Sequence, residues 1–176
     1  MSATVYIEET NGASGSEVNS VDPDNLNMGS VDATELVPSS YPITAKADGH
    51  AYEKWLRLFV SNMGGSSQVD NVKMWLSDLG GGWKTGEGMS CNLVTGGYTP
   101  ISAYATPVDT DSTVATQAMP ESEPGSANIG IGGSLSGSIT SAPSHSDWVV
   151  LQLDVTASTP AGSLNTKTIT IQWDEQ

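Results

Sequence analysis

Apolar and polar side chains alternate along the C-terminal part of the chain, which is the pattern of half-buried β-strands. In residues 148–155 the side chains that share one side are Val149, Leu151, Leu153 and Val155. In residues 166–173 they are Ile169, Ile171 and Trp173. The intervening Pro160-Ala161-Gly162 is typical of a turn. We therefore predict that these two stretches form a pair of strands.

Shorter runs of the same alternation predict further strands along the chain. The clearest is 69–76, where Val72, Met74 and Leu76 share a side and the glycines at 80–82 follow. The other predictions are short strands at 4–8, 89–94 and 100–104 with a turn at Gly96-Gly97, a weak strand through Leu26, Met28 and Val31, an extended stretch at 38–46, and a short strand near Val114 in an otherwise irregular segment, 106–125.

Residues 51–62 fit two patterns. The helical pattern is an i, i+3, i+4 stripe formed by Tyr52, Trp55, Leu56, Phe59, Val60 and Met63. The alternative is a strand buried on both faces, with Trp55 and Phe59 on one face and Tyr52, Leu56, Leu58 and Val60 on the other. Because the surrounding sequence is rich in strand signals, we predict a strand.

Residues 125–146 are rich in glycine and serine, but they contain an apolar alternation. The residues at its period-two positions are Ile129, Ile131, Leu135 and Ile139, with Gly133 and Gly137 between them. The pattern suits a thin extended segment or hairpin that lies against a neighbour, and it suits a flexible surface loop equally well. We take Ile129, Ile131 and Leu135 as candidate partner-binding residues.

Residues 10–25 are polar and rich in glycine, serine, asparagine and aspartate, which predicts a loop or an extended arm. We divide the chain into an N-terminal strand with this polar arm, residues 1–25, and a β-sandwich domain, residues 26–176. We expect the arm to order when it binds a neighbouring subunit. About eight to ten short strands separated by turn signals predict an all-β protein, a single β-sandwich domain of the jelly-roll or immunoglobulin-like kind.

The chain of 176 residues is strongly acidic, with 20 aspartates and glutamates against 6 lysines and arginines, a net charge of −14. Carboxylates repel phosphate, so this balance argues against binding to nucleic acid or to an anionic membrane surface. The low share of charged residues, 15%, argues against a helical bundle. A single cysteine, Cys91, excludes an internal disulfide. The N-terminus does not resemble a signal peptide, which predicts assembly in a cytoplasm.

Few residues of the chain are suited to catalysis. Residues 144–147, Ser-His-Ser-Asp, contain the residue types of a catalytic triad, but a triad is defined by spatial roles and not by adjacency. Cys91 has no histidine beside it in the sequence to promote thiolate formation. Residues 80–85 lack the first glycine of a phosphate-binding loop. We predict no catalytic or cofactor-binding residues and a non-enzymatic protein.

Metal binding is limited by the scarcity of nitrogen and sulfur ligands. One cysteine and two histidines are too few for a zinc site of four such ligands. Calcium prefers oxygen ligands and is the one metal left open. Its candidate loops contain Asp22, Asp24 and Asn25, and Asp109 and Asp111. Solvated turn residues explain both loops better, so we assign no metal ligand and no cofactor.

Trp83 differs from the other tryptophans because it lies in a glycine-rich loop outside the predicted strands. Strand tryptophans usually pack in or near a core. A loop tryptophan can stack on a sugar ring or anchor a protein partner, although local packing is the simpler interpretation. Trp83 is the fourth candidate partner-binding residue.

Three stretches of the chain resemble small structural proteins of tailed bacteriophages. The matching residues are Tyr52-Glu53-Lys54-Trp55-Leu56-Arg57 followed by Asp70-Asn71-Val72-Lys73-Met74-Trp75, then Leu151-Gln152-Leu153-Asp154-Val155 with Thr159-Pro160-Ala161-Gly162, and a final Thr-rich strand ending in Trp173-Asp174-Glu175. The resemblance implies a capsid decoration (cement) protein of β-sandwich fold on the outer surface of a phage capsid. Its implied partners are the major capsid protein and neighbouring copies of itself, with a trimer favoured.

The acidic charge is compatible with this resemblance, because a surplus of one sign keeps an outer protein soluble. A tail, neck or fibre component of the virion is the nearest alternative. A carbohydrate-binding or adhesion β-sandwich that uses Trp83 is an alternative of a different class. An enzyme is the least supported.

Overall fold

The computed structural model describes residues 2–22, 26–34, 36–93 and 98–176. Within these ranges there is no helix, and 37% of the residues are in strands or bridges. The strands are β1 (Thr4–Asn11), β2 (Val18–Val21), β3 (Gly49–His50), β4 (Lys54–Asn62), β5 (Val69–Asp78), β6 (Glu87–Cys91), β7 (Gln117–Ala118), β8 (Ser138–Ile139), β9 (Ser144–His145), β10 (Val149–Val155) and β11 (Thr168–Glu175). Over the residues described, no helix has the length and apolar character needed to span a membrane.

The strands form two antiparallel sheets with a common core. The order of the large sheet is β2-β1-β4-β10-β6-β7, with β3 paired to β10 and β9 paired to β4, and the order of the small sheet is β11-β5-β8. One buried apolar cluster draws on both sheets, including Leu58 of β4, Leu151 of β10 and Met74 of β5. The prediction of an all-β sandwich is therefore confirmed.

Residues 51–62 contain strand β4, as predicted. Leu56, Leu58 and Val60 belong to the cluster between the sheets, whereas Trp55 packs on the opposite face with Trp148. The opposite face is buried at Trp55, because the irregular segment that contains Tyr104 folds over it with the two rings 5.2 Å apart. Phe59 is only half-buried, so burial on both faces is confirmed at Trp55 alone. The apolar positions of β5 also face the core as predicted.

The two C-terminal strands exist, but the prediction that they pair is wrong. β10 lies between β4 and β6 in the large sheet, and β11 lies at one edge of the small sheet beside β5. Both strands direct apolar side chains at the common core, for example Leu151 from β10 and Ile171 from β11. Packing across the core buries these two faces against each other, which pairing side by side would not do.

The prediction of a loop or arm at residues 10–25 is wrong for much of this segment. β1 continues past residue 10, and β2 pairs with it in a hairpin. Gly12 and Gly15 have φ values of 91° and 87°, which glycine adopts without the clash of a Cβ atom. The Tyr104 hydroxyl donates to the carbonyl of Gly12 at 2.8 Å, and the amide of Gly12 donates to Asp32 at 2.8 Å. The hairpin is thus an integral part of the large sheet.

Several short strand predictions are also wrong. Residues 26–31 and 100–104 are irregular, and residues 38–46, predicted as an extended stretch, begin with a turn at 38–40. The short strand predicted near Val114 lies slightly further along the chain, as β7 (Gln117–Ala118). The run predicted at 89–94 corresponds to β6; residue 94 and the turn at Gly96-Gly97 lie outside the described residues. A strand needs a neighbour for its backbone hydrogen bonds, and the structure pairs none of these irregular segments in a sheet.

Most of the glycine-rich segment 125–146 packs against the small sheet, whereas β9 at its end pairs with β4 of the large sheet. An isolated bridge joins Ile131 to Ser134, and β8 pairs with β5. A Cβ atom on Gly137 would lie 2.0 Å from the carbonyl oxygen of Ile131. The absence of a side chain at residue 137 is therefore what allows these two backbone segments to approach each other.

Candidate functional site

A groove lies between β1 of the large sheet and β11 of the small sheet. It has a volume of 260 Å³, and its lining residues are Val5, Tyr6, Ile7, Asp22, Ile169, Ile171 and Trp173. All of these except Asp22 are half-buried. Five of them also pack against the buried apolar cluster. The groove is therefore an outward continuation of the core.

The shape of the groove follows from the alternating side-chain directions along β1 and β11. Ile169, Ile171 and Trp173 occupy every second position of β11, so their side chains share its inner face. Residues 5–7 are consecutive in β1, so their side chains point to both faces of the sheet. A groove that all three residues line must reach the edge of β1.

Both strands have an open edge at the groove. β11 pairs with β5 on one side and has no strand partner on the other among the described residues. β2 pairs with β1 only over residues 8–11, so residues 4–7 of β1 have a strand partner on the β4 side alone within the described chain. One further backbone bond, 2.6 Å long, runs from the Asp22 amide to the Ile7 carbonyl.

Glu175 connects the two strands at one end of the groove. Its carboxylate accepts hydrogen bonds from the Ala3 amide at 2.9 Å, from Trp173 Nε1 at 3.2 Å and from the Ser66 hydroxyl at 2.9 Å. The hydrogen bonds from Ala3, Trp173 and Ser66 hold the pKa of Glu175 below its usual value. The carboxylate is therefore ionised at neutral pH.

The surroundings of the groove are acidic. Asp22 lines the groove and is exposed, and Asp174 and Glu175 are exposed at the end of β11. Four cations elsewhere are engaged by carboxylates, in the pairs Lys54–Glu9, Arg57–Glu8, Lys73–Glu123 and Lys167–Glu87. The groove therefore faces solvent beside a surplus of negative charge.

His50 forms a polar cluster on the large sheet. Its Nδ1 lies 2.8 Å from Asp154 and its Nε2 lies 2.8 Å from Asp48, while Ser90 donates to the other oxygen of Asp154 at 2.5 Å. Both ring nitrogens can donate to these carboxylates only in the protonated ring. Burial lowers the pKa of His50, but Asp154 and Asp48 outweigh it and the pKa is raised above 6.5. Because the aspartate separates the serine from the histidine, this cluster contains no nucleophile-base pair.

The four residues 144–147 do not converge on a catalytic site. His145 Nε2 lies 3.1 Å from Glu8, and its ring stacks on Phe59 at 4.8 Å. The Ser146 hydroxyl binds backbone groups, accepting from the Leu58 amide at 2.9 Å. Asp147 accepts from the Tyr98 hydroxyl at 3.1 Å. The side chains of His145, Ser146 and Asp147 thus each have their own structural partner.

Trp83, the loop candidate for partner binding, is half-buried and packs against the core cluster. Its indole Nε1 donates to Glu121 at 2.6 Å. The ammonium group of Lys167 lies 4.3 Å from the ring centroid, a cation–π geometry. The ring face below this ammonium group is covered.

The other candidate partner-binding residues lie mostly in the core. Ile129 is 2% exposed and Ile131 is 9% exposed, and both belong to the buried apolar cluster. Leu135 is half-buried. The structure places the two isoleucine side chains inside the molecule and not on a contact surface, because the segment folds onto β5.

Cys91 and the acidic loops have simple surroundings. Cys91 is fully buried, and burial raises the pKa of its thiol to about 11. Asp109 and Asp111 are exposed, while Asp24 and Asn25 lie outside the described residues. In the described ranges, no group of three or more His, Cys, Asp or Glu side chains is arranged to hold a metal ion.

Sequence patterns alone missed the groove. The alternation of Ile169, Ile171 and Trp173 predicts an apolar face, and so does the apolar content of residues 4–8. Nothing in the pattern indicates that β1 and β11, at opposite ends of the chain, lie beside each other. The absence of lysine and proline from Thr168–Glu175 does not mark this strand as an edge, because Val149–Val155 lacks both and lies in the middle of the large sheet.

The protein is an all-β sandwich with an open, mostly apolar groove between β1 of one sheet and β11 of the other. No family model matches the sequence, and comparisons with curated proteins and with solved structures gave no match either.

Proposed function

We propose that this chain is a non-enzymatic structural protein of a bacteriophage virion, a decoration protein that binds the outer surface of the capsid and stabilises it. Its partners would be the major capsid protein and neighbouring copies of itself, with assembly in the host cytoplasm. The phage assignment rests on the resemblance of three sequence stretches. In the fold, most of these residues belong to β4, β5, β10 and β11.

The observation that carries the binding role is the groove between β1 and β11. It combines half-buried apolar side chains with an open strand edge, and both features favour contact with another protein. By contrast, the polar clusters around His50 and His145 serve internal contacts. A protein with this distribution is suited to binding rather than to chemistry.

The first test is the copy number of the chain in purified virions of its source phage. Quantitative mass spectrometry would compare it with the major capsid protein. A number comparable to the capsid subunit supports decoration of the whole shell. A few copies per particle would contradict decoration and favour the tail, neck or fibre, and absence from the particle would overturn the virion role.

A second test addresses the stabilising effect. Particles that lack the protein would be heated with and without the purified chain, and DNA release would be followed with an intercalating dye. We expect release at a higher temperature when the chain is present, because a ligand that binds only the intact shell stabilises it. Bovine serum albumin serves as the control for nonspecific protein effects. An unchanged release temperature would contradict the stabilising role.

A further inference from the structure

We propose that the groove accepts an extended segment of a different protein, which pairs with the open edge of β11 as a fourth strand of the small sheet. The segment carries apolar side chains at alternate positions and a lysine or arginine that faces Asp22. This inference rests on the proposed protein-binding role and adds the binding mode and the chemistry of the partner.

The first argument is the open edge of β11. The strand extends over Thr168–Glu175 and is paired with β5 on one side only among the described residues. Its backbone groups on the other edge are therefore a template for a further strand. No lysine, arginine or proline lies within Thr168–Glu175, although such residues commonly block strand addition. The ladder with β5 is irregular between Thr168 and Ile169 and between Gln172 and Asp174, so the regular part of the template is residues 169–172.

The second argument is the unequal width of the two sheets. Among the described residues the small sheet has three strands and ends at β11, whereas the large sheet continues with β1 and β2. Val5 and Ile7 of β1 consequently remain half-buried at the groove, although they contact the core. A fourth strand beside β11 would place side chains over both residues, because face-to-face sheets pack through their inner side chains.

The third argument concerns the sequence of the segment. Successive side chains of a strand point to opposite faces. Alternate side chains of the added strand would therefore enter the groove against Ile171 and Trp173, and those between them would face solvent. The partner segment is expected to read apolar-polar-apolar-polar, with β-branched residues at the inner positions.

The fourth argument is charge. Asp22 lines the groove, and Asp174 and Glu175 are exposed at the end of β11. Because Asp22 lies beside Ile7 and Glu175 lies beside Ala3, negative charge is present at both ends of the groove, and a cation at either end of the partner segment would complement it. A second copy of this chain is a poor occupant, because each copy carries a net charge of −14 and would bring its own acidic strand end to the contact.

The experiment uses the full chain and a synthetic peptide, acetyl-Lys-Val-Thr-Val-Thr-Val-Thr-Lys-amide, as the probe. Isothermal titration measures its affinity, and hydrogen-deuterium exchange locates the protected amides. The matched peptide replaces both lysines with glutamates. Two further peptides carry N-methyl groups on alternate amides, one set on each backbone edge. A paired strand tolerates methylation on its outer edge only.

We expect the lysine peptide to bind and to slow exchange in residues 168–175. One methylated peptide should keep its affinity and the other should lose it. Asp22→Asn should weaken binding of the lysine peptide by about two- to fivefold, the value of one exposed ion pair. The φ of Asp22 is 56°, which asparagine also adopts, so this variant should fold.

Two substitutions on β11 test the contact surface. Trp173→Ala should weaken binding by about tenfold or more, since buried aromatic anchors dominate interfaces. Gln172→Ala is the matched control, because residue 172 is exposed on the opposite face of the strand, and it should leave binding unchanged. The folding of each variant is checked by urea unfolding.

Each of several results would overturn the inference. In the titrations, these are equal affinities for the glutamate and lysine peptides, an equal loss of affinity with both methylated peptides, or no binding of any peptide. In hydrogen-deuterium exchange, they are protection confined to β1, or protection of β11 that accompanies self-association of the chain. If virions contain the chain but no peptide binds to it, this inference is wrong and the proposed function is unaffected. If the lysine peptide binds as expected but the chain is absent from virions, the proposed virion function is wrong and the binding mode is supported.

Discussion

The ammonium group of Lys54 lies 2.6 Å from a carboxylate oxygen of Glu9, and both side chains are almost completely buried. Lys54 also donates to the backbone carbonyl of Ala33 at 2.6 Å. The pair joins β4 to β1 within the large sheet. Removing a charge from water costs several kcal/mol unless a partner compensates it, so each of the two side chains depends on the other.

Replacing Lys54 alone should be strongly destabilising. We expect Lys54→Met to lower the free energy of unfolding by about 3–5 kcal/mol, because it removes the cation from a buried carboxylate. The double variant Lys54→Met with Glu9→Gln should be more stable than Lys54→Met. Urea unfolding followed by tryptophan fluorescence measures both. Equal stability of the single and double variants would contradict this account of the pair.

His50 should make the protein less stable as the pH rises. Its pKa is raised above 6.5 in the folded protein, because Asp154 and Asp48 outweigh the opposing effect of burial. A raised pKa contributes stability that is complete below the unfolded pKa, about 6.5, and is lost as the pH rises through the folded pKa. We expect His50→Gln to destabilise the protein more at about pH 5.5 than at about pH 8.5. Asp48→Asn should reduce this difference, and a pH-independent effect would contradict the prediction.

His145 should have the opposite dependence on pH. Burial and the charge of Arg57 lower its pKa, and Glu8 only partly offsets them. A depressed pKa contributes stability that is present above the unfolded pKa and is lost as the pH falls through the folded pKa. NMR titration of the two imidazole rings should therefore give His145 a pKa below 6.5 and His50 a pKa above it. The reverse order would refute both assignments.

Gly137→Ala should destabilise the protein by roughly 2 kcal/mol or more, because the new Cβ atom would lie 2.0 Å from the carbonyl oxygen of Ile131. Gly125→Ala is the matched control, since a Cβ atom there would meet nothing within 4 Å. Thermal unfolding of the two variants measures the difference. Similar midpoints would mean that the segment does not lie against Ile131 in solution.

The thiol of Cys91 should be unreactive in the folded protein. It is fully buried, and burial raises its pKa to about 11. At pH near 8 only about one thiol in a thousand would be ionised, and the thiolate is the reactive form. We expect a disulfide reagent to label Cys91 rapidly in concentrated urea and slowly without it. Fast labelling without urea would place the thiol at an accessible site.

Some of the candidate site could be anticipated from the sequence and some could not. The inner face of β11 is visible as the alternation of Ile169, Ile171 and Trp173. The burial of Ile129 and Ile131 could not be predicted from the sequence, because an apolar residue in a glycine-rich segment is equally compatible with a core and with a contact surface. The close approach of Gly137 to Ile131 accompanies their burial in the core, and this approach brings together two backbone segments of the folded chain.

The class of the fold was determined by the sequence itself. Period-two alternation at residues 69–76 and 148–155 requires extended chain with one apolar face, and several such faces can be buried together only between sheets. The acidic surface is likewise a property of composition alone.

Strand pairing and the groove were decided only by the tertiary structure. β10 and β11 follow each other in the chain but lie in different sheets, whereas β1 and β11 lie at opposite ends of the chain and form one groove. The pattern of a strand specifies which face is buried, but any strand with a suitable face can be its neighbour. The neighbour is selected by packing of the whole core, a non-local property that no single stretch of sequence contains.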